Sequence, residues 1–442
     1  MPEQVEGGAS LIEQRQVELV LDSFPEAAPY PPDWRTSKGG VEYLYRRNRI
    51  IVRDANLDSI VRGLQERGVR FAIDREFALA DATRLTLADT NEDDDERSVR
   101  TELAQIWAQE GQGAGGLDHL YYVCVHACAA IEPEEVAADA GPIPEQQVGK
   151  DAATPESRHG KGVDVLVLDT GLVPDAATDH AWLAGVTGDE ENPLGPDGKI
   201  RQDGGHGTFT AGCVRVTAPE AAVRVVNAAS LIPVRESADE IGAVFESELA
   251  NLLRSHLVAA AGQPPVRVPD VVVVNFAGRT QDDRPPVALA ALYDSVIQHL
   301  KEVVILSPAG NEPDDRKNWP ASFNWVVSVG ALAENRSDRA SWSNFARTVD
   351  VYAPGDRLVN AFAKGDYICK WDDEPHDERS FDGMALWSGT SFSTPLVAGL
   401  VASRMSTTEQ SSRRAWGSLL DLAERQAIPG VGPVLYPGQE LD

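Results

Sequence analysis

Long apolar runs and cysteines are both scarce in this chain of 442 residues. No stretch approaches the ~18 consecutive apolar residues that a membrane-spanning helix requires. The N-terminus has neither the basic start nor the apolar centre of a secretory signal peptide. Only four cysteines occur, which is too few for a disulfide framework in a chain of this length. Taken as written, the sequence predicts a cytoplasmic protein with free thiols, and a start codon further upstream would leave export open.

Basic residues are also in the minority, with 40 Lys and Arg against 69 Asp and Glu, for a net charge of −29. A surface with that charge repels phosphates, so we expect neither a nucleic-acid partner nor a membrane partner. The length and the hydrophobic content of 42% allow two or three domains with a large core. No feature of the sequence calls for a cofactor, and none is predicted.

The first part of the chain divides into an arm and a small domain. Residues 1–40 are acidic and proline-rich, and we expect a flexible arm there. Residues 41–136 have the pattern β-α-β-β-α-β, which is the order of a ferredoxin-like α+β domain. Its predicted strands are 49–52, 69–73, 84–87 and 120–131, and its predicted helices are 56–67 and 96–109. Residues 137–160, rich in Ala, Pro and Gly, are a predicted linker.

Residues 161–442 have a different pattern. Short runs rich in Val and Ile alternate with helical stretches. This alternation predicts an α/β domain with a mostly parallel sheet and helices on both faces. Such sheets bind ligands beyond the carboxyl ends of their strands, and Asp169 and Asn311 each follow one of the predicted strands.

Three sequence motifs contain polar residues suited to catalysis. Asp169 begins an Asp-Thr-Gly turn, which aspartic proteases also contain, but those need a second copy that this chain lacks. His206 lies among glycines in GGHGTFTAG. Ser391 lies in GTSFSTPLVAG, at the start of a predicted helix whose free N–H groups can stabilise a developing negative charge. Read singly, the three residues could also be a structural turn, a surface histidine and a helix cap.

Together the motifs resemble those of the subtilisin-like serine peptidases, the subtilase family. VLVLDTG is similar to the aspartate motif, GGHGTFTAG to the histidine motif and GTSFSTPLVAG to the serine motif. They follow the family's order Asp, His, Ser, and the resemblance runs from about Gly160 to Arg404. It implies a subtilisin-like fold and a serine endopeptidase that hydrolyses protein or peptide substrates through an acyl-enzyme intermediate.

The resemblance assigns each role to a residue of this chain. Ser391 would be the nucleophile, His206 the general base and acid, and Asp169 the residue that orients His206. Asn311 and the backbone N–H of Ser391 would form the oxyanion hole. An extended peptide would add as a strand beside the implied substrate-binding residues, which are Asn275, Ala277, Gly278, Ala309 and Gly310.

Several positions depart from the family pattern. Phe209 stands where a second histidine is common, and Phe392-Ser393 stands where Met-Ala is common. Pro308 replaces a small residue, and Ala277-Gly278 shortens a binding loop. Residues 364–384 look like an insertion near the rim of the active site. No catalytic group is lost, so these changes leave only the side-chain preference of the enzyme open.

The N-terminal domain resembles the propeptide that many subtilases carry. The resemblance implies a zymogen in which an intramolecular propeptide covers the catalytic domain and ends in the substrate cleft. We expect self-cleavage between about Val136 and Gln146. An interaction domain that stays attached is the alternative.

Three other signals favour structural interpretations. Cys124, His126 and Cys128 alternate along a predicted strand, where their spacing of about 6.5 Å is too wide for one zinc ion, so no metal is predicted. The glycine-rich residues 111–116 lack the Lys-Ser/Thr of a phosphate loop. The acidic residues 89–96 lack the glycine of a calcium loop.

Two other functions stay open. A catalytically silent peptide-binding protein could have the same fold, and a serine esterase or amidase could use the same triad. The sequence does not identify the physiological substrate or the oligomeric state.

Overall fold

The computed structural model describes residues 11–37, 39–74, 77, 79–88, 90–91, 98–123, 132–137, 141–142, 159–229, 242–259, 263–345, 348–369 and 377–438. The chain divides into two compact units. Unit 1 combines the described residues up to 121 with 243–268 and 278–301. Unit 2 combines those of 122–242 with 269–277 and 302–442.

The helices and strands alternate along most of the chain. The helices are α1 (Leu11–Ser23), α2 (Leu57–Glu66), α3 (Val99–Glu110), α4 (Ala176–Asp179), α5 (His206–Thr217), α6 (Glu246–Leu257), α7 (Val287–Ser295), α8 (Thr390–Thr408) and α9 (Ser412–Arg425). The strands are β1 (Ala27–Tyr30), β2 (Tyr43–Arg53), β3 (Phe71–Asp74), β4 (Ala82–Leu87), β5 (Gly115–Tyr122), β6 (Asp164–Asp169), β7 (Thr187–Gly188), β8 (Ala222–Asn227), β9 (Ala243–Phe245), β10 (Val271–Val274), β11 (Val304–Pro308), β12 (Val326–Leu332), β13 (Val351–Pro354), β14 (Leu358–Ile368) and β15 (Glu378–Trp387). Among the described helices, none has the length and apolarity that a membrane span requires.

Unit 1 is built on one sheet with the strand order β3-β4-β2-β5-β9, in which β1 also pairs with β2. The chain order β2-α2-β3-β4-α3-β5 confirms the predicted β-α-β-β-α-β pattern. Apolar side chains from these strands and helices form its core, including Ile50, Leu64 and Leu103. The helices α6 and α7, which lie more than 100 residues further along the chain, belong to the same unit.

The prediction of a flexible arm over residues 1–40 is wrong for residues 11–37. These residues form α1 and β1, and β1 pairs antiparallel with β2. Val17, Val20, Phe24 and Trp34 are all buried, so this segment gains enough apolar burial to offset its ordering entropy. The acidic and proline-rich composition concealed that contribution.

Unit 2 contains a seven-stranded parallel sheet with the order β13-β12-β11-β10-β6-β8-β7. This confirms the predicted parallel sheet. After β6 the chain builds the sheet outward through β8 and then returns to add β10 on the other side of β6. Parallel sheets bind ligands where the strand order reverses in this way. Asp169 is the last residue of β6 and therefore lies at this switch point.

The helices α5 and α8 are in close contact in unit 2. A Cβ atom added to Gly399 of α8 would lie 2.6 Å from the backbone oxygen of Val214 in α5. Thr217 also donates a hydrogen bond from its hydroxyl to the backbone oxygen of Leu396, at 3.1 Å. Because α5 begins at His206 and α8 begins one residue before Ser391, this contact helps to fix the separation of these two residues.

Substituting Gly399 by Ala should therefore destabilise the protein. A methyl group that overfills a packed interface costs about 1–3 kcal/mol of unfolding free energy. Gly417 of α9 is the matched control, because a Cβ there meets no atom within 4 Å and Ala is favoured over Gly inside helices by up to about 1 kcal/mol. Chemical denaturation should show a loss for Gly399→Ala and a gain or no change for Gly417→Ala. Equal effects of the two substitutions would contradict the close helix contact.

Candidate active site

Asp169 and His206 are joined by a short hydrogen bond. The Nδ1 atom of His206 lies 2.7 Å from Oδ1 of Asp169, and both side chains are fully buried. A carboxylate that accepts the proton on Nδ1 fixes the tautomer in which Nε2 is the basic nitrogen. The sequence placed these residues 37 positions apart, and the structure brings them together.

Three donors hold the buried Asp169 carboxylate. Besides His206, the backbone N–H of Thr170 donates to Oδ1 at 2.7 Å, and Nδ2 of Asn275 donates to Oδ2 at 2.8 Å. A buried carboxylate needs such donors to offset the loss of water. The site therefore supplies hydrogen bonds to both carboxylate oxygens.

Asn275 also connects Asp169 to the serine motif. Its Nδ2 lies 3.2 Å from the backbone oxygen of Ser391 and 3.0 Å from the hydroxyl of Thr210. The residue is fully buried. The sequence assigned Asn275 to substrate binding, and the structure shows that its side chain contacts Asp169 and the backbone of Ser391.

An aromatic cluster surrounds the imidazole of His206. The ring centre of Phe392 lies 5.0 Å away, and that of Trp387 lies 5.5 Å away in an edge-to-face arrangement. Phe209 packs on Phe392 at 4.4 Å. Phe209 and Phe392 are two of the positions at which the sequence departs from the family pattern. Because the two rings pack on each other, the phenylalanine at one position accounts for the phenylalanine at the other.

Ser391 and Asn311 are linked through Thr390. Ser391 is the second residue of α8 and is almost fully buried. The Asn311 side-chain oxygen accepts hydrogen bonds from the backbone N–H and the hydroxyl of Thr390, at 2.9 and 2.8 Å. These two bonds fix the amide orientation, so the NH₂ group is the end that remains for another acceptor. An oxyanion hole requires this donor end.

The loop before Asn311 has a constrained backbone. Gly310 has a φ of 112°, and a Cβ there would lie 2.5 Å from Asn318 and 2.6 Å from Asn344. Only glycine fits such a position without strain. The preceding Ala309 donates its N–H to the backbone oxygen of Val329 at 2.9 Å. Both residues, predicted to bind substrate, are thus held beside the end of β11.

Tyr122, the last residue of β5, and Val123, which follows it, form backbone hydrogen bonds with two different segments of unit 2. Tyr122 and Ala277 exchange two backbone hydrogen bonds, at 3.0 and 2.9 Å. The N–H of the next residue, Val123, donates to the backbone oxygen of Gly242 at 2.8 Å. Ala277 was predicted from the family resemblance, whereas Gly242 lies outside the motifs that carried that resemblance and was not predicted. The remaining predicted residue, Gly278, lies in unit 1, where it closely approaches Tyr121.

Several predicted features lie partly or wholly outside the described residues. The candidate metal ligands Cys124, His126 and Cys128 are outside them, as are most of residues 89–96 and of the linker. Residues 364–384, predicted to be an insertion, form much of the β14–β15 hairpin apart from 370–376. Within the described part of the chain, no group of three or more potential metal-ligating side chains occurs.

Comparison with known proteins identifies the family to which the chain is similar. The model of the subtilase family matches residues 160–425. The chain is 26% identical over 250 residues to "Intracellular serine protease" of Paenibacillus polymyxa, covering 55% of this chain and 67% of that protein. It is 28% identical over 293 residues to "Subtilisin-like protease 1" of Trichophyton rubrum, covering 66% of this chain and 51% of that protein.

The chain spans about half the length of most of the curated relatives it matches. Among solved structures, fervidolysin from Fervidobacterium pennivorans, a keratinolytic enzyme related to subtilisin, superposes with a TM-score of 0.57 at 17% identity. That similarity covers 90% of this chain and 61% of the other, and it shows a shared fold. Because the family model matches more than half of the sequence, the chain belongs to the subtilase family.

Proposed function

We propose that this chain is a serine endopeptidase with Ser391, His206 and Asp169 as its triad. The hydrogen bond between Asp169 and His206 carries the proposal, because a fully buried imidazole–carboxylate pair has the geometry of a general base. The contact from Asn275 to both Asp169 and the Ser391 backbone supports it. The two relatives described above, an intracellular serine protease and a subtilisin-like protease, agree with this reaction class.

The proposed reaction has two stages. Ser391 Oγ attacks the peptide carbonyl while His206 Nε2 takes the hydroxyl proton, and His206 then gives a proton to the leaving amine. The acyl group is now an ester on Ser391. Water attacks this ester while His206 takes one of its protons, and His206 then returns that proton to Ser391 Oγ as the ester bond breaks and the carboxylic acid product leaves. Asp169 stabilises the imidazolium form of His206 in both stages.

The negative charge on the tetrahedral oxygen requires separate stabilisation. The NH₂ group of Asn311 and the backbone N–H of Ser391 are the proposed donors. Ser391 also lies in the first turn of α8, where the positive end of the helix dipole favours an anion. The two Thr390 bonds keep the Asn311 amide in the required orientation.

Removing the nucleophile should abolish most activity. Ser391→Ala is expected to lower peptide hydrolysis by about 10⁶-fold, because the acyl-enzyme can no longer form. Steady-state hydrolysis of a fluorogenic peptide measures this loss. Ser406→Ala, in the same helix outside the triad, is the matched control and should keep most of the activity. Near-normal turnover by Ser391→Ala would falsify the assignment.

Asn311→Ala tests the oxyanion hole. It removes a donor that acts on the transition state more than on bound substrate, so kcat should fall by about 10²–10³-fold with little change in KM. The exposed Asn335 provides a control substitution to Ala. If KM rose while kcat held, Asn311 would bind the substrate in its ground state instead.

Two alternatives remain distinguishable from the proposal. A silent peptide-binding protein would bind peptides without turning them over. A serine esterase would hydrolyse activated esters and leave peptides intact, so relative rates on matched peptide and ester substrates separate it from an endopeptidase.

We also propose that the N-terminal domain is an intramolecular propeptide. Within unit 1 its sheet makes buried polar contacts with α6. Asp118 of β5 accepts hydrogen bonds from the backbone N–H and the hydroxyl of Ser247, at 2.9 and 2.8 Å, and so caps that helix. Glu248 accepts from Arg46 at 2.6 Å and from Arg84 at 2.7 Å. These contacts join the N-terminal sheet to a helix of the predicted peptidase region 161–442, as expected of an intramolecular propeptide.

The backbone pairing of Tyr122 and Val123 helps to locate the proposed self-cleavage site. Ala277 and Gly242 pair with these two residues as they would with a bound peptide. Further along, Glu134 exchanges backbone hydrogen bonds with Leu386 at 2.8 and 2.9 Å and forms an ion pair with Arg357 at 2.9 Å. Because residues on both sides are held within unit 2, a cut between Val123 and Glu132 is favoured. Cleavage between Val136 and Gln146, the expectation from sequence, stays the alternative.

Autoprocessing predicts different masses for two proteins. The wild type should lose its N-terminal domain, whereas Ser391→Ala should stay full length because it cannot cut itself. Intact mass spectrometry measures the difference, and N-terminal sequencing of the shortened chain distinguishes the two positions. Two full-length proteins, with the wild type active, would show a domain that stays attached.

A further inference from the structure

A buried carboxyl group lies next to the histidine motif and has no role in the triad. Asp203 is three residues before His206 and is 8% exposed. Its backbone oxygen accepts a hydrogen bond from the N–H of His206 at 3.0 Å. Its side-chain oxygen Oδ2 accepts a hydrogen bond from the N–H of Gly242. Asp203 thus joins the start of α5 to a separate part of the chain.

Gly242 belongs to one of the two backbone segments that pair with Tyr122 and Val123, and Ala277 belongs to the other. We call the segment at Gly242 the Gly242 edge. Its N–H is bonded to Asp203 while its carbonyl accepts from Val123. A Cβ atom at Gly242 would collide with the Asp203 carboxylate, so a larger residue there would displace the carboxylate from this contact. A backbone edge that is held at its N–H presents its carbonyl in a fixed position to an extended peptide.

We propose that Asp203 is a positioning residue for peptide binding, which fixes the Gly242 edge so that substrate backbone can pair with it. This inference rests on the proposed peptidase function. It goes beyond that function because it assigns a role to a residue outside the triad and the oxyanion hole. The chemistry recognised is the backbone N–H of an extended peptide, not a side chain.

A second buried carboxyl group, that of Glu191, lies near Asp203. Glu191 is 1% exposed, and its Oε1 accepts from the N–H of Gly205 at 3.0 Å. Burial raises the pKa of Glu191 well above its usual range, and the neighbouring Asp203 raises it further. Burial also raises the pKa of Asp203, an effect that Arg201 opposes. Whether ionised or neutral, a carboxyl group keeps an acceptor oxygen, so Oδ2 of Asp203 can accept the N–H of Gly242.

Kinetics on two substrates separate positioning from a general structural effect. One is a peptide with at least three residues before the scissile bond, and the other is p-nitrophenyl acetate, which has none. Asp203→Ala should raise KM for the peptide about tenfold, since a buried N–H loses its acceptor, with kcat largely kept. The rate on the small ester should change less than about twofold, because it pairs with neither edge. Asp203→Asn should restore most of the peptide affinity, because its amide oxygen can accept the same bond.

Hydrogen exchange tests the same contact without catalysis. In full-length Ser391→Ala, adding Asp203→Ala should speed exchange of the Gly242 and Val123 amides about tenfold, the fold expected for one lost hydrogen bond. The added Asp203→Asn should leave both protected. Asp421→Ala, an exposed change on α9, is the control in both experiments.

Two results would overturn the proposal. One is equal loss of kcat on both substrates with an unchanged peptide KM, which would place the effect of Asp203 on His206. The other is unchanged exchange at Gly242 and Val123. A wild type that hydrolyses neither substrate would count against the peptidase function alone, because the exchange measurement still decides the role of Asp203.

Discussion

Burial of the Asp169 carboxylate against His206 constrains the surrounding structure more than any other contact. A carboxylate removed from water must be supplied with donors. Here they come from three places: the turn after β6, the start of α5 and the end of β10. These three elements meet because β6 is an interior strand of the parallel sheet, with β10 beside it and α5 in contact with it. The strand order therefore brings together the hydrogen-bond donors of Asp169 as well as the apolar side chains of the core.

Close packing of α5 against α8 fixes the position of Ser391 relative to His206. The approach of α8 to α5 at Gly399 leaves no room for a side chain, and the Phe209–Phe392 contact fills the space beside His206. Asn275 joins the two regions by reaching both Asp169 and the Ser391 backbone. Substitutions of these packing residues should therefore change the relative positions of Asp169, His206 and Ser391, while all three side chains stay present.

The sequence allowed prediction of features that depend on local pattern. Runs of Val and Ile predicted the strands of the parallel sheet, and short motifs predicted Asp169 and His206, which the structure brings into contact. Features that depend on distant contacts were not predictable. Residues 11–37 include a strand, β1, that pairs with β2. Ion pairs such as Arg46–Glu248 and Arg53–Asp294 join α6 and α7 to the N-terminal sheet across more than 100 residues. The hydrogen bond between Asp203 and Gly242, on which their proposed role rests, exists only because the fold brings the two residues together.

The central claim is that the buried pair of Asp169 and His206 makes Ser391 a nucleophile. Covalent labelling with a fluorophosphonate, followed by mass spectrometry of the labelled peptide, tests this claim most directly, because the reagent reacts only with an activated serine. We expect label on Ser391, none on the neighbouring Ser393, and loss of the label in His206→Ala. Label on another serine, or an unlabelled Ser391 in folded wild-type protein, would contradict the account.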